Sequence, residues 1–480
     1  MGSTNMSDVK TFEPKVRTFV PSFSTEHFEG LKLPPEVMAA MFARFSRTGD
    51  GLERILDDIK DLDPADTAKM KDRILKFIDY GHASIGGLTG GIPVGFDKVS
   101  MLVPYLTFLV QAKQDGQETS TRFCDFTSGG VANPASLGIP ERFHARWFDN
   151  LREGFELSRL TGEYLSAQVA KDRSLARIPS DAKPKEAERM VRNYAMDRVR
   201  YTLPMAALTN FGIIMTGREW ADTLKVLSAF GTLPEFQKIS DETRAQLQKF
   251  MPNMMRHSSA TDMTKAWADE FLSRGVQYIS AHGVNTDQLA DKVVTSVTLP
   301  PEEGIIDGYR SVEERLATAF KGKKNRYDIP RGYPEKIHTS VYWNNMALAE
   351  ARDINRQRPC KKDTLLAPVG FYAAPEMHDA ITILGLSDRF KRFKDNNANL
   401  MIDLANSENP HSYSAGLMLG HQTPWELHTD AAHMTYNLEL RTGRGVQFRY
   451  DDHMRQAYRS FEKQAPQWTK HVQLGTGEPE

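Results

Sequence analysis

The chain has 480 residues, 40% of them hydrophobic, which is enough to bury at least one full core and a length that fits two to four domains. Its 61 Lys and Arg stand against 62 Asp and Glu, so no global field draws it toward nucleic acid or acidic lipid, and any anion site must be local. Cys124 and Cys360 are the only cysteines, which excludes a disulfide framework or a Cys-rich zinc site and suits a reducing, cytoplasmic compartment.

In chain order, MGSTNMSDVK lacks the apolar core of a signal peptide. Apolar residues at helical spacing predict helices over 35–45 and 63–80. The longest apolar run, 101–110, is broken by Pro104, Tyr105 and Thr107, is too short to span a bilayer and reads as a buried helix. An Asp-Gly turn then opens a loop over 115–126, followed by helices over 140–169, 181–203 and 218–229. A charged stretch between Gly231 and Pro252 marks a boundary that divides the chain almost evenly, giving expected domains 1–240 and 241–480. The second half is similar in texture, with strands expected near 293–299 and 364–372 and helices over 311–320, 335–358, 375–395, 430–441 and 446–463. The fold class expected is α/β.

Three segments carry candidate chemistry. In DGQETSTRFCDF, Glu118, Ser120 and Arg122 alternate, so an extended loop would put them on one side, where a hydroxyl and a guanidinium suit a phosphate. The plain alternative is a capping loop with an exposed Arg. RDINRQRP gathers Arg352, Arg356 and Arg358 at the end of the helix expected over 335–358, either as an anion site or as a solvated basic face. In LELRTGRGVQF, Gly443 and Gly445 break two helices and Arg441 and Arg444 flank the turn, where arginine can also simply complement a helix dipole. His82 and Ser84 in YGHASIGG sit where a helix meets glycine-rich backbone. His421, His428 and His433 do not share one helical face, and no metal site is assigned to them.

Together these segments resemble the flavin-dependent thymidylate synthases, and more specifically long relatives with two such domains in tandem. ARFS, ending at Ser46, and GHAS, with His82 and Ser84, are similar to flavin-contacting segments, and TGREW places Arg218 at a flavin-contacting arginine. QETSTRF is similar to the nucleotide loop, matching Gln117, Glu118, Ser120 and Arg122; LELRTGRGVQF adds Arg441 and Gln447. ARDINRQR resembles the Arg-His-Arg segment, with Arg356 and Arg358 matching and Gln357 in place of the His, while Asn210 stands where another nucleotide-contacting Arg is usual.

The resemblance implies long helices packed on mixed sheets, repeated twice. It also implies a division of labour between halves: the nucleotide loop in the first and the arginine segments in the second, assembled in a homodimer. The implied activity is C5 methylation of a deoxyuridine monophosphate, with FAD bound and methylenetetrahydrofolate and NADPH as co-substrates. No enzyme nucleophile is implied. Two alternatives stand beside it: alkylation or hydroxymethylation of another pyrimidine nucleotide such as dCMP, and a non-catalytic flavin- or nucleotide-binding paralogue. Neither a membrane nor a nucleic-acid partner is expected.

Overall fold

The computed structural model describes residues 91–127, 129–249, 255–300, 310–443 and 445–476, with short pieces between 11 and 57. Ser46, His82, Ser84, Arg444 and the helices expected at 35–45 and 63–80 lie wholly or mostly outside the described residues.

The first half contains β1 (Lys15–Thr18), β2 (Ile92–Ser100), α1 (Leu102–Val110), β3 (Asp115–Glu118), α2 (His144–Lys171), α3 (Pro184–Val199), β4 (Leu208–Met215), α4 (Gly217–Leu227) and α5 (Pro234–Leu247). The second contains α6 (Asp262–His282), β5 (Val293–Thr298), α7 (Val312–Ala319), β6 (His338–Ala347), α8 (Leu348–Ile354) and β7 (Lys361–Thr364). It continues through β8 (Gly370–Phe371), α9 (Pro375–Ile383), α10 (Ser387–Ala405), β9 (His421–Asp430), α11 (Ala431–Arg441) and α12 (Phe448–Gln464). No helix among the described residues is long and apolar enough to cross a membrane.

The fold is α/β, with two separate sheets that are antiparallel throughout; the mixture expected from the sequence is confined to a two-residue parallel pair, Thr11–Phe12 with Val131–Ala132. The first sheet has the order β1-β2-β4-β3 and the second β5-β6-β9-β7, with β8 also on β9. Each sheet therefore has two long central strands, and in each a helix follows both of them: α1 and α4 in one, α8 and α11 in the other. Between the halves, Met205 N donates to Leu417 O and Leu419 N donates to Leu203 O, both at 2.8 Å, around a bridge between Pro204 and Met418. Exchanging the two segments reproduces the same pair of bonds, so the contact has local two-fold symmetry.

Three sequence expectations change here. The helix expected over 335–358 is strand β6 followed by the short helix α8. Trp343, Ala347, Ala351 and Ile354 are all buried, so the apolar spacing was real, but the β-branched and aromatic run TSVYW pairs with both β5 and β9 and forms a central strand. The Asp115-Gly116 turn is the start of β3, paired opposite Ile214 and Ile213. Gly116 is required there: a Cβ would lie 3.0 Å from Gly212 O and 2.9 Å from the Phe108 ring. The helix expected over 375–395 breaks at Gly385, whose φ of 67° suits glycine and ends α9.

One continuous apolar cluster runs through both halves, from Trp147 and Tyr201 to Trp343, Trp425 and Trp468. Long helix α2 crosses between the halves: Asn150 Nδ2 donates to Phe393 O at 3.1 Å and Trp147 Nε1 to Ala415 O at 2.9 Å. Gly154 lets α2 approach the 3-10 turn Arg200–Thr202, because a Cβ there would lie 2.5 Å from Thr202 O. Gly154→Ala should therefore destabilise the protein by about 1–3 kcal/mol despite alanine's better helix propensity. A urea midpoint unchanged or raised in this variant would show that α2 does not hold the turn at contact distance.

Candidate functional site

The nucleotide-loop segment is half strand and half turn. Gln117 and Glu118 end β3, and then Ser120 O accepts from Phe123 N at 3.2 Å and Cys124 N at 3.0 Å, closing a turn. Ser120 Oγ accepts from Arg122 N at 3.2 Å, so the alternation expected of an extended loop stops at Glu118. Asn210 helps fix this geometry from β4. Its backbone O receives Thr119 N at 2.8 Å, and its side-chain O receives Lys98 N at 2.9 Å, where Lys98 occupies the left-handed region in the β2 bulge.

Second-half arginines close on this turn. Arg352, on α8, pairs with Glu118 at 3.1 Å and donates to Thr121 Oγ1 at 3.2 Å; both ion-pair partners are almost fully buried. Arg122 reaches the other way, donating to Gly445 O at 3.1 Å and pairing with Asp197 at 3.3 Å. Arg200 lies between, 3.4 Å from Asp197, 3.9 Å from Asp353 and 3.1 Å from Thr121 Oγ1. Arg356 pairs with Asp353. Burial pushes the Asp353 carboxyl upward, but Arg356, Arg200, Arg122 and Arg441 outweigh it and hold the group at about 2. Among the described residues of this cluster, Arg122, Arg200, Arg352, Arg356 and Arg441 face Glu118, Asp197 and Asp353.

The remaining assigned positions serve varied roles. Arg358 donates to Gln114 O at 2.8 Å and pairs with Asp115; burial and the nearby Arg441 lower its pKa to about 10. The Gln357 amide satisfies its neighbours with nitrogen toward Asn437 Oδ1 at 2.6 Å and oxygen toward Arg441 Nη2 at 2.6 Å. Gln447 is the N-cap of α12, accepting from Tyr450 N at 2.7 Å, and its Nε2 donates to Tyr201 Oη at 3.1 Å. Its observed contacts are thus with the helix start and Tyr201. Arg218 is exposed in the first turn of α4 and stands apart from the cluster among the described residues. His421, His428 and His433 serve the strand and the helix cap: His421 Nδ1 accepts from Met418 N, His428 meets Ser340, and His433 meets Asp430.

Sequence reasoning missed Asp197 and Arg200, and with them the buried pair Tyr201 and Glu350. The available signal was MDRVRYTLP, an unusual density of charge directly before an apolar strand. Tyr201 Oη donates to Glu350 Oε1 at 2.8 Å, linking α8 through Gln447 to the start of α12. Burial raises the Glu350 pKa to about 7, against the pull of Arg449, Arg200 and the Tyr201 hydrogen bond. A raised acid favours the folded state below its unfolded pKa of 4.5 and loses that contribution as pH climbs toward about 7. Glu350→Gln should therefore be comparatively more stable at pH 8 than at pH 5; equal urea-midpoint differences at both pH values would refute a neutral-favouring environment.

Residues 32–253 match the model of the family described as thymidylate synthase complementing protein. The chain is also similar to a UPF0159 protein of Chlamydia pneumoniae, 27% identical over 257 residues, and to one of Chlamydia muridarum (strain MoPn / Nigg), 25% identical over 257 residues. Each match covers 49% of this chain and 47% of the relative, so the match spans about half the length of these curated relatives. Over residues 32–253, therefore, this chain is similar to the thymidylate synthase complementing protein family.

Proposed function

We propose that the chain methylates C5 of deoxyuridine monophosphate in a thymidylate synthase-like reaction that uses FAD, methylenetetrahydrofolate and NADPH. The observation that carries the reading is the meeting of the 117–123 segment with arginines from the other half. Guanidinium groups gathered in this way suit a phosphate monoester. The two sheets' common strand order supports reading the halves as two copies of one domain, divided near residue 240. A homodimer in the cytoplasm completes the proposal.

The chain's polar groups fit a bound cofactor. Gln114 is 5% exposed with neither atom of its amide hydrogen-bonded, and Glu118 Oε2 and Arg356 Nε are also buried without a hydrogen bond. Leaving such groups unpaired costs about 1–3 kcal/mol each, so a polar ligand is a natural partner. Arg356 and Arg358, with Ser46, His82, Ser84 and Arg218, would hold FAD, which supplies the hydride and one-carbon chemistry when bound. Ser120, Arg122 and Arg441 would hold the nucleotide phosphate, with Glu118 fixed by Arg352 beneath them. Gln357 orients Arg441 where the simple enzymes carry a His. Ser120 acts here as a hydrogen-bonding group, and no protein nucleophile is required.

The purified chain should show a flavin absorption spectrum that shifts on addition of dUMP. Arg122→Leu should weaken dUMP binding, and Arg356→Leu FAD binding, by about 100-fold or more, as expected for losing one partner of a buried charge-assisted contact. Unchanged dUMP affinity in the first variant together with unchanged FAD affinity in the second would sink the proposed cradle. A colourless protein that takes up no added FAD would favour a non-catalytic nucleotide-binding role.

A further inference from the structure

Beside the arginine cluster lies a cavity of about 330 Å³ to which both halves contribute. Arg122 and Asp197 form the side shared with the cluster, while Leu175, Met190, Val446 and Phe448 supply apolar surface. Arg198 is held between rings, 3.8 Å from the Tyr194 centroid and 4.6 Å from that of Phe448, with its Nε 3.3 Å from Glu376 Oε1. Arg177, exposed at the rim, occupies the left-handed region at φ 50°.

Beside these guanidiniums the polar wall carries three acceptor atoms that receive no hydrogen bond. Asn193 is 7% exposed, and its Oδ1 receives no hydrogen bond. Glu376 Oε1 meets Arg198 and Tyr194, which leaves Oε2 buried without a donor. Asp451 Oδ2 receives Arg455 Nε at 2.9 Å, while Oδ1 receives none. These acceptors come from α3, α9 and α12 and all line the same cavity. Buried acceptors without donors call for a ligand rich in N–H groups, and the apolar wall suits a flat ring.

We propose that this cavity is a binding site for the amino-bearing base of a nucleotide, adenine in type, with the phosphate directed to Arg122 and Arg177 at the cluster side and rim. An exocyclic amino group presents two N–H donors to acceptors such as Asn193 Oδ1 and Glu376 Oε2. A carbonyl in its place would turn an oxygen toward a carboxylate and leave both sides unpaired. The two-ring face of a purine also covers more of Leu175, Met190 and Phe448 than a pyrimidine does. The site shares Arg122 with the proposed dUMP phosphate contacts, but its base-binding wall lies on other residues and does not depend on the proposed reaction.

AMP and IMP differ at this amino group and therefore test the wall directly. Calorimetric titration of the purified chain at constant ionic strength should give AMP an affinity at least about tenfold tighter than IMP. Glu376→Gln, which can donate to a carbonyl, should reduce the ratio to about threefold or less, and Asn193→Ser should narrow it independently. Ribose 5-phosphate should bind both variants as it binds the parent, since it lacks the base. IMP binding as tightly as AMP, dCMP binding more tightly than AMP, or a ratio preserved in both folded variants would each overturn the proposal. A dUMP titration run in parallel separates the two readings: dUMP binding that AMP does not displace, with no AMP binding, leaves the arginine cradle standing and removes only this site.

Discussion

The buried ion pair between Glu118 and Arg352 is the contact on which the site's architecture rests. It joins the last residue of a first-half edge strand to a second-half helix at 3.1 Å, with both groups nearly withdrawn from water. Desolvation makes such a pair a weak source of stability, yet removing one partner strands the other at a cost of about 3–5 kcal/mol. Its effect is therefore on geometry: with Glu118 anchored, the turn after β3 has one direction in which to leave. Thr121 then falls within reach of both Arg352 and Arg200, and Arg122 reaches the backbone of Gly445.

Around that anchor, charge is arranged so that guanidiniums outnumber carboxylates while remaining fixed by them. Asp197 holds Arg122 and Arg200, and Asp353 holds Arg356. Arginine suits this role because its fork stays charged when buried and can serve a protein carboxylate and a ligand oxygen in different directions. The same principle explains Gln357: an amide cannot carry positive charge, but its oxygen can orient Arg441, whose charge remains available to the cluster.

Much of this was legible in the sequence where local chemistry decides structure. The buried helix at 102–110, the helix ending at Arg441 and the break before Phe448 follow from apolar spacing and glycine. The union of QETSTRF with RQR and LELRTG came from resemblance, because nothing in local spacing says that residues 118 and 352 touch. The stretch at 338–347 was misread since a strand buried between two neighbours shows continuous apolar texture, which a helix period also fits. Asp197 and Arg200 were missed for a related reason: a charged residue in a helix usually faces solvent, and only tertiary packing turned these inward.

The local two-fold at Pro204 and Met418 has a consequence for how this chain can change. In an assembly of identical subunits, one codon specifies every symmetry-related position, so a residue improved for a ligand in one place is imposed on all the others. Here Leu227 and Arg441 close the 11-residue helices that follow the central strands β4 and β9, and they are written separately in the gene. Leu227 is 2% exposed and packs into the apolar core, while Arg441 faces the charged cluster. The two helix ends can thus change independently, one facing the charged cluster and the other holding the core, with neither substitution constrained to suit both places.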